Sequence, residues 1–140
     1  MTLLDPGNKK HNHALERLST ELVAWLTTVR ADGQPQSSPV WFLWEDEAFH
    51  IFSQPDRPKL RNISGNPNVS MHLEGGEEGE DVVTFEGVAR IEADAGPATS
   101  WPDYIERYRR LIEGYGWTPE SFASDYSVPV VITPTRVRVD

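Results

Sequence analysis

Arg57, Lys59 and Arg61 stand at alternate positions directly after Phe52-Ser53-Gln54-Pro55-Asp56, in a chain whose formal net charge is −9. Pro58 lies among them. Proline suits the first residue of a helix, because its missing N–H would have no partner there and its fixed φ already matches the helix. A helix starting at Pro58 leaves the amides of Lys59, Leu60 and Arg61 without intrahelical acceptors, and the positive end of the helix dipole favours an anion beside them. The stretch therefore reads as a phosphate site, with a guanidinium and an ammonium closing around it. The plainer alternative is a solvated basic turn that pairs with Asp56, since charge runs are common on surfaces.

A second group of residues offers a wall for a flat ring. Pro39 interrupts the run Ser37-Ser38-Pro39-Val40-Trp41, and a proline cannot donate to a sheet ladder, so it belongs at an edge or a bulge where neighbouring backbone groups are free. Small hydroxyls, exposed amides and the apolar Val40 and Trp41 thus fall in one place, although an edge strand with a bulge accounts for the same residues without any ligand. Four histidines, His11, His13, His50 and His72, lack the spacing of a metal site, and His50 and His72 read as half-buried strand residues. No serine sits in a G-x-S-x-G elbow. The chain has no cysteine, which excludes disulfides, thiolate nucleophiles and cysteine-held zinc or iron–sulfur centres.

These groups must be positioned by one domain, residues 1–140, since a chain of 140 residues is long enough for a single proper core. Its 38% apolar and 10% aromatic content is that of a folded protein. The acidic balance argues against gripping a nucleic-acid backbone, which needs many cations on one face. No run approaches the roughly 18 to 20 apolar residues of a membrane span and no leader is apparent, so the expected compartment is the cytoplasm.

Periodicity supplies the elements. Residues 1–9 read as a loose lead-in. Ala14, Leu15, Leu18 and Leu22 recur at helical spacing over 10–22. Two runs rich in β-branched and aromatic residues, 23–30 and 37–44, flank Asp32-Gly33, a hairpin signal; the polar turn Glu45-Asp46-Glu47 leads into a third strand, 48–53. Residues 60–66 form two helical turns stopped by Gly65-Asn66-Pro67, followed by strands over 69–73 and 82–91 on either side of an acidic loop, 74–81. Gly87 marks a bulge or a close approach. Trp101, Tyr104, Ile105, Tyr108, Leu111 and Ile112 make the stripe of a helix capped by Ser100 with Asp103. Residues 115–124 read as a loop with a short helical turn, and 128–139 as a last strand broken at Pro129 and Pro134. Six strands joined by tight turns, with helices at the periphery, give a mainly β (α+β) fold, a closed or split antiparallel barrel.

Taken in order, Ser37-Ser38-Pro39-Val40-Trp41, Ser53, Arg57-x-Lys59-x-Arg61-Asn62, Asn66-Pro67-Asn68-Val69-Ser70 and Ile132-Thr133-Pro134-Thr135-Arg136-Val137 resemble the split β-barrel flavin-binding family of the pyridoxamine 5'-phosphate oxidase class. More narrowly they resemble its short branch that uses the deazaflavin coenzyme F420. The resemblance implies a homodimer with two equivalent cofactor sites at the interface, on the six-stranded split barrel that the strand count gives. It also implies a phosphate held by Lys59 and Arg61 with Ser53 and Arg57, and a ring of FMN or coenzyme F420 lying along Pro39, Val40 and Trp41, with Ser38 among the cofactor-binding residues. Oxidases of vitamin B6 proper continue into an Arg-rich segment not seen by Asp140, so that activity is not expected. The expected function is hydride transfer between a bound deazaflavin or FMN and a small organic acceptor. The alternatives are a flavin- or haem-binding module for storage, delivery or sensing, and an interaction domain.

Overall fold

The structure, a computed structural model, describes residues 2–140. Its elements are α1 (Lys9–Thr20), β1 (Ala24–Val29), β2 (Pro35–Val40), β3 (Leu43–Glu45), β4 (Ala48–Ser53), α2 (Pro58–Gly65), β5 (Asn68–His72), β6 (Val83–Ile91), α3 (Pro102–Gly114), α4 (Pro119–Asp125) and β7 (Val128–Val139), with two short 3₁₀ turns between β6 and α3. Among the described residues seven strands form one antiparallel sheet in the order β2-β1-β5-β6-β7-β4-β3. The two outermost strands, β2 and β3, are separated in sequence by Trp41 and Phe42 alone. Three Cα steps span at most about 11 Å, so the sheet must curl until its edges nearly meet. The result is a split barrel whose seam lies at Trp41-Phe42.

That seam corrects the expectation of six strands. The run 37–44 reads as a single strand, but its halves pair with different partners, β2 with β1 and β3 with β4. Turn chemistry fixes both hairpins. Gly33 adopts φ +90° in the β1–β2 turn, and Asp46 and Glu47 adopt φ 53° and 59° between the paired residues Glu45 and Ala48, the double positive φ of a tight turn that matches strand twist. Pro39 lies on the edge strand β2, where its missing donor costs no ladder bond. Gly87 serves both expected purposes, since the β6–β7 register shifts between Glu86 and Gly87 and an added Cβ would come within 2.8 Å of the Thr133 carbonyl oxygen.

The barrel interior is packed with Leu26, Phe42, Phe49, Ile51, Met71, Phe85 and Ile132, and α1 and α2 add Leu18 and Ile63. Leu4 joins this core at 5% exposure, so the lead-in is tied down rather than loose; the Asn8 side chain then caps α1, accepting from the Lys10 and His11 amides. A second apolar cluster lies outside the barrel, where Tyr104, Ile105, Tyr108 and Ile112 of α3 meet Phe52 of β4 and Phe122 of α4. The stripe expected of α3 is therefore its buried face. Its expected cap is not formed: the Ser100 hydroxyl donates to the Pro97 carbonyl (2.6 Å), and Trp101 occupies the cap position.

Candidate functional site

The site forms where β2 leaves the sheet edge and β4 runs into α2. A cleft of about 320 Å³ is lined by Pro39, Val40 and Trp41 of the seam and by Phe52, Ser53 and Gln54 at the end of β4. Arg57 and Lys59 and an aromatic wall of Tyr104, Tyr115, Trp117, Phe122 and Tyr126 complete the lining. A second cleft of about 380 Å³ shares Arg57 and Lys59 and is lined otherwise by Thr28, Gln36, Ser37, Ser38, Pro58 and Asn62. The two cations thus stand between an aromatic recess and a hydroxyl- and amide-lined one.

Local structure sets their position. The chain turns at Asp56 (φ 63°), Arg57 takes the cap position of α2, and Pro58 is its first residue, as the sequence indicates. Arg57 reaches back to the Gln54 side-chain oxygen. Lys59 is half-buried, and its pKa is lowered, first by burial and then by the neighbouring Arg57 guanidinium. Among the described residues Arg57, Lys59 and Arg61 have no carboxylate within ion-pair distance, as is also true of Lys9, Lys10, Arg107, Arg110 and Arg136, whereas Arg17, Arg30, Arg90, Arg109 and Arg138 are paired; of the unpaired cations, Arg57 and Lys59 line the two clefts. In a chain of net charge −9, two uncompensated cations beside a recess make the local potential favourable to an anion. The solvated turn paired with the Asp56 carboxylate is not what forms: only the Asp56 backbone oxygen is engaged, by Arg61 at 3.3 Å.

Two features of the expected site change. Arg61 is exposed and lines neither cleft. On a helix, residues two apart are turned by roughly 200°, so Lys59 and Arg61 face different ways while Arg57 and Lys59 converge. The cradle of three free amides is also smaller than expected, because the Leu60 amide donates to the Arg57 carbonyl (3.0 Å). The remaining expected residues, Ser38, Pro39, Val40, Trp41, Ser53, Arg57 and Lys59, all line one or both clefts. Ser53 is buried, and its hydroxyl donates to the Gln54 carbonyl (2.8 Å), leaving its oxygen as an acceptor.

Asn62, Thr28 and Gln36 were not among the expected site residues. The buried Asn62 amide donates to the Thr28 hydroxyl and to the Gln36 side-chain oxygen, both at 2.9 Å. This network ties α2 to the β1–β2 hairpin and holds the hydroxyl-lined recess in shape. Its signal is a polar Asn62 on the buried face of a short helix. The aromatic wall has a weaker signal, the ring-rich stretch 115–126, where α4 forms a helix of its own with Thr118 and Ser121 in a reciprocal capping box.

Residues 11–139 match the sequence profile of the pyridoxamine 5'-phosphate oxidase family, and the chain belongs to that family. Solved structures agree. An F420 reductase is 27% identical, with a TM-score of 0.68 over 88% of this chain and 94% of its own. General stress protein 26 of Bacillus anthracis is 28% identical, with a TM-score of 0.64 over 91% and 93%. HutZ, the haem storage protein of Vibrio cholerae, shares the fold at 19% identity and a TM-score of 0.64 over 99% and 95%. No curated protein matches the sequence. Among the described residues no helix is long and apolar enough to cross a membrane.

Proposed function

We propose that the chain is an oxidoreductase that passes a hydride between a bound deazaflavin of the coenzyme F420 type, or FMN, and a small organic acceptor. The observation that carries this reading is the pair Arg57 and Lys59, without carboxylate partners, at the junction of an aromatic and a hydroxyl-lined recess. The donor set fits a phosphorylated ring. Two cations and the α2 start would hold the phosphoryl group, the Ser37–Ser38 hydroxyls and the Asn62 network would bound it, and the Pro39-Val40-Trp41 edge would lie along the ring. When bound, the ring supplies the hydride chemistry; the protein's part is to place donor and acceptor together and to keep water out. Likeness to an F420 reductase over most of both chains supports the same reading.

Haem storage, the use named for HutZ on this fold, fits less well, because none of the four histidines lines either cleft. His50 packs at a tilt against Trp101 at 4.7 Å, and His72 stacks on Trp25 at 6.5 Å. The reading includes a homodimer, as the family resemblance implies, and the exposed Val88 on the outward side of β6 favours such a contact. Titration of the purified protein with FMN and with coenzyme F420, followed by absorbance, should show saturation near one ring per chain. Candidate acceptors should then reoxidise the bound reduced ring faster than the free one. Failure of both cofactors to saturate would remove the proposal.

A further inference from the structure

One ring of the aromatic wall has a face left over. Phe122 is flanked by Trp41, Trp117 and Tyr126, and Trp117 also meets Tyr126. Tyr115 meets a single ring, that of Trp117, at 4.7 Å between centroids and 24° between planes. It lines the cleft and is 64% exposed, more than any other large apolar side chain among the described residues. With one face laid on Trp117, that exposed surface belongs to the other face and the ring edge.

The backbone fixes where this ring stands. α3 ends with Gly116 at φ +78°, its amide donating to the Glu113 carbonyl (2.9 Å) and the Trp117 amide to the Ile112 carbonyl (3.0 Å). These are the two bonds of a Schellman motif, which glycine closes because it takes a positive φ without strain. Tyr115 and Trp117 flank that glycine, so a closed helix end sets their stacking. Trp117 is anchored further by packing against the cluster outside the barrel. A surface held in place before a ligand arrives avoids the entropy cost of ordering it on binding.

We infer that Tyr115 is the stacking platform for a flat aromatic ring joined to an anionic group. The ring follows from the open face, which takes another flat ring in an offset stack. The charge follows from Arg57 and Lys59, which line the same cleft of about 320 Å³ and repel a cationic ring. The cofactor and an anionic aromatic acceptor share this chemistry. Assigning the ring to either rests on the function proposed above; the stacking itself does not.

Naphthyl phosphate, flat and anionic, and cyclohexyl phosphate, of the same charge but with a puckered ring, are the probes, titrated by NMR into the wild type, Tyr115→Phe and Tyr115→Leu. Naphthyl phosphate should bind Tyr115→Leu roughly fivefold more weakly than the wild type and Tyr115→Phe equally well, with cyclohexyl phosphate the same in all three. The thermal midpoint of Tyr115→Leu should stay at the wild-type value, since the side chain is mostly in solvent. Absence of naphthyl phosphate binding to the wild type, or equal affinity for Tyr115→Leu, would overturn the inference, and so would an equal loss with cyclohexyl phosphate. FMN then identifies the ring: a parallel loss of FMN affinity in Tyr115→Leu puts the cofactor on the platform, and unchanged FMN affinity reserves it for a second flat anion. Naphthyl phosphate binding through Tyr115 in a chain that takes up neither FMN nor coenzyme F420 would leave the platform standing and remove the oxidoreductase reading.

Discussion

The phenol oxygen of Tyr108 lies 2.7 Å from the Phe42 amide nitrogen, in the middle of the barrel seam. Phe42 belongs to neither β2 nor β3, so its N–H has no ladder partner. The hydroxyl accepts from it and directs its own proton toward the carbonyls of Leu22 (2.7 Å) and Phe42 (2.9 Å). The Trp41 ring stacks on the same phenol. One side chain of α3 thus completes the hydrogen bonding at the seam and supports a wall of the cleft.

Removing that hydroxyl should be costly. Tyr108→Phe leaves a buried amide without an acceptor, which typically costs about 1–3 kcal/mol. Urea unfolding should show a lower midpoint with an unchanged slope. Wild-type stability would mean that water replaces the phenol at the seam. Tyr104→Phe, which removes a buried hydroxyl without a hydrogen-bond partner, should not destabilise, so the two neighbouring phenols make a controlled comparison.

Arg57→Ala combined with Lys59→Ala should weaken FMN or coenzyme F420 binding at least tenfold, equivalent to about 1.4 kcal/mol. The fold should survive, because neither cation holds another element in place. Arg61→Ala, outside both clefts, should change FMN affinity far less. Fluorescence or absorbance titration ranks the three cations. An Arg61 effect as large as that of the pair would mean that the anion sits further along α2.

Anion binding should also depend on pH. Burial, then Arg57, lowers the Lys59 pKa in the free protein, and a bound anion raises it again. Binding therefore takes up a proton between those two values, and affinity falls as pH rises through the lower one, by up to tenfold per pH unit. Without ligand the sign reverses: the unfolded chain holds the lysine proton more tightly, so this group's contribution to stability increases with pH across the window between its folded and unfolded pKa. Sulfate, whose charge is constant over this range, is the probe, titrated between about pH 7 and pH 10. Lys59→Arg should flatten the profile; an unchanged slope in that variant would assign the dependence to another group.

Local chemistry was legible from the residues themselves. Gly33 and the Asp46-Glu47 pair announce their turns, Pro39 announces an edge, Gly87 a close approach, and the α3 stripe a buried face. The cationic turn and the seam edge were also legible, and the structure brings Lys59 and Arg57 to the cleft with Ser53, Ser38, Pro39, Val40 and Trp41. What was not legible depends on contacts distant in sequence. Residues 37–44 carry no sign of the break at Trp41-Phe42, because the break is made by edge strands meeting across a curled sheet and by Tyr108 from 66 positions away. Arg61 and Lys59 look equivalent as a list of charges and differ only through helix rotation. Leu4 looked like a loose end because its packing partners come from the assembled core. The aromatic wall needed α4, a helix too short for periodicity to declare.

The two-residue seam carries one more consequence. With β2 and β3 tethered by Trp41-Phe42, the gap between the barrel's edges cannot widen beyond about 11 Å while both strands keep their places, and the lumen behind it is already filled by Phe42, Phe49 and Phe85. Unlike barrels that serve as containers, this one is filled by its own side chains. A ring bound as proposed would lie outside the lumen, where β2 and β4 meet α2, α3 and α4, and its exchange with solvent would need no breathing of the sheet.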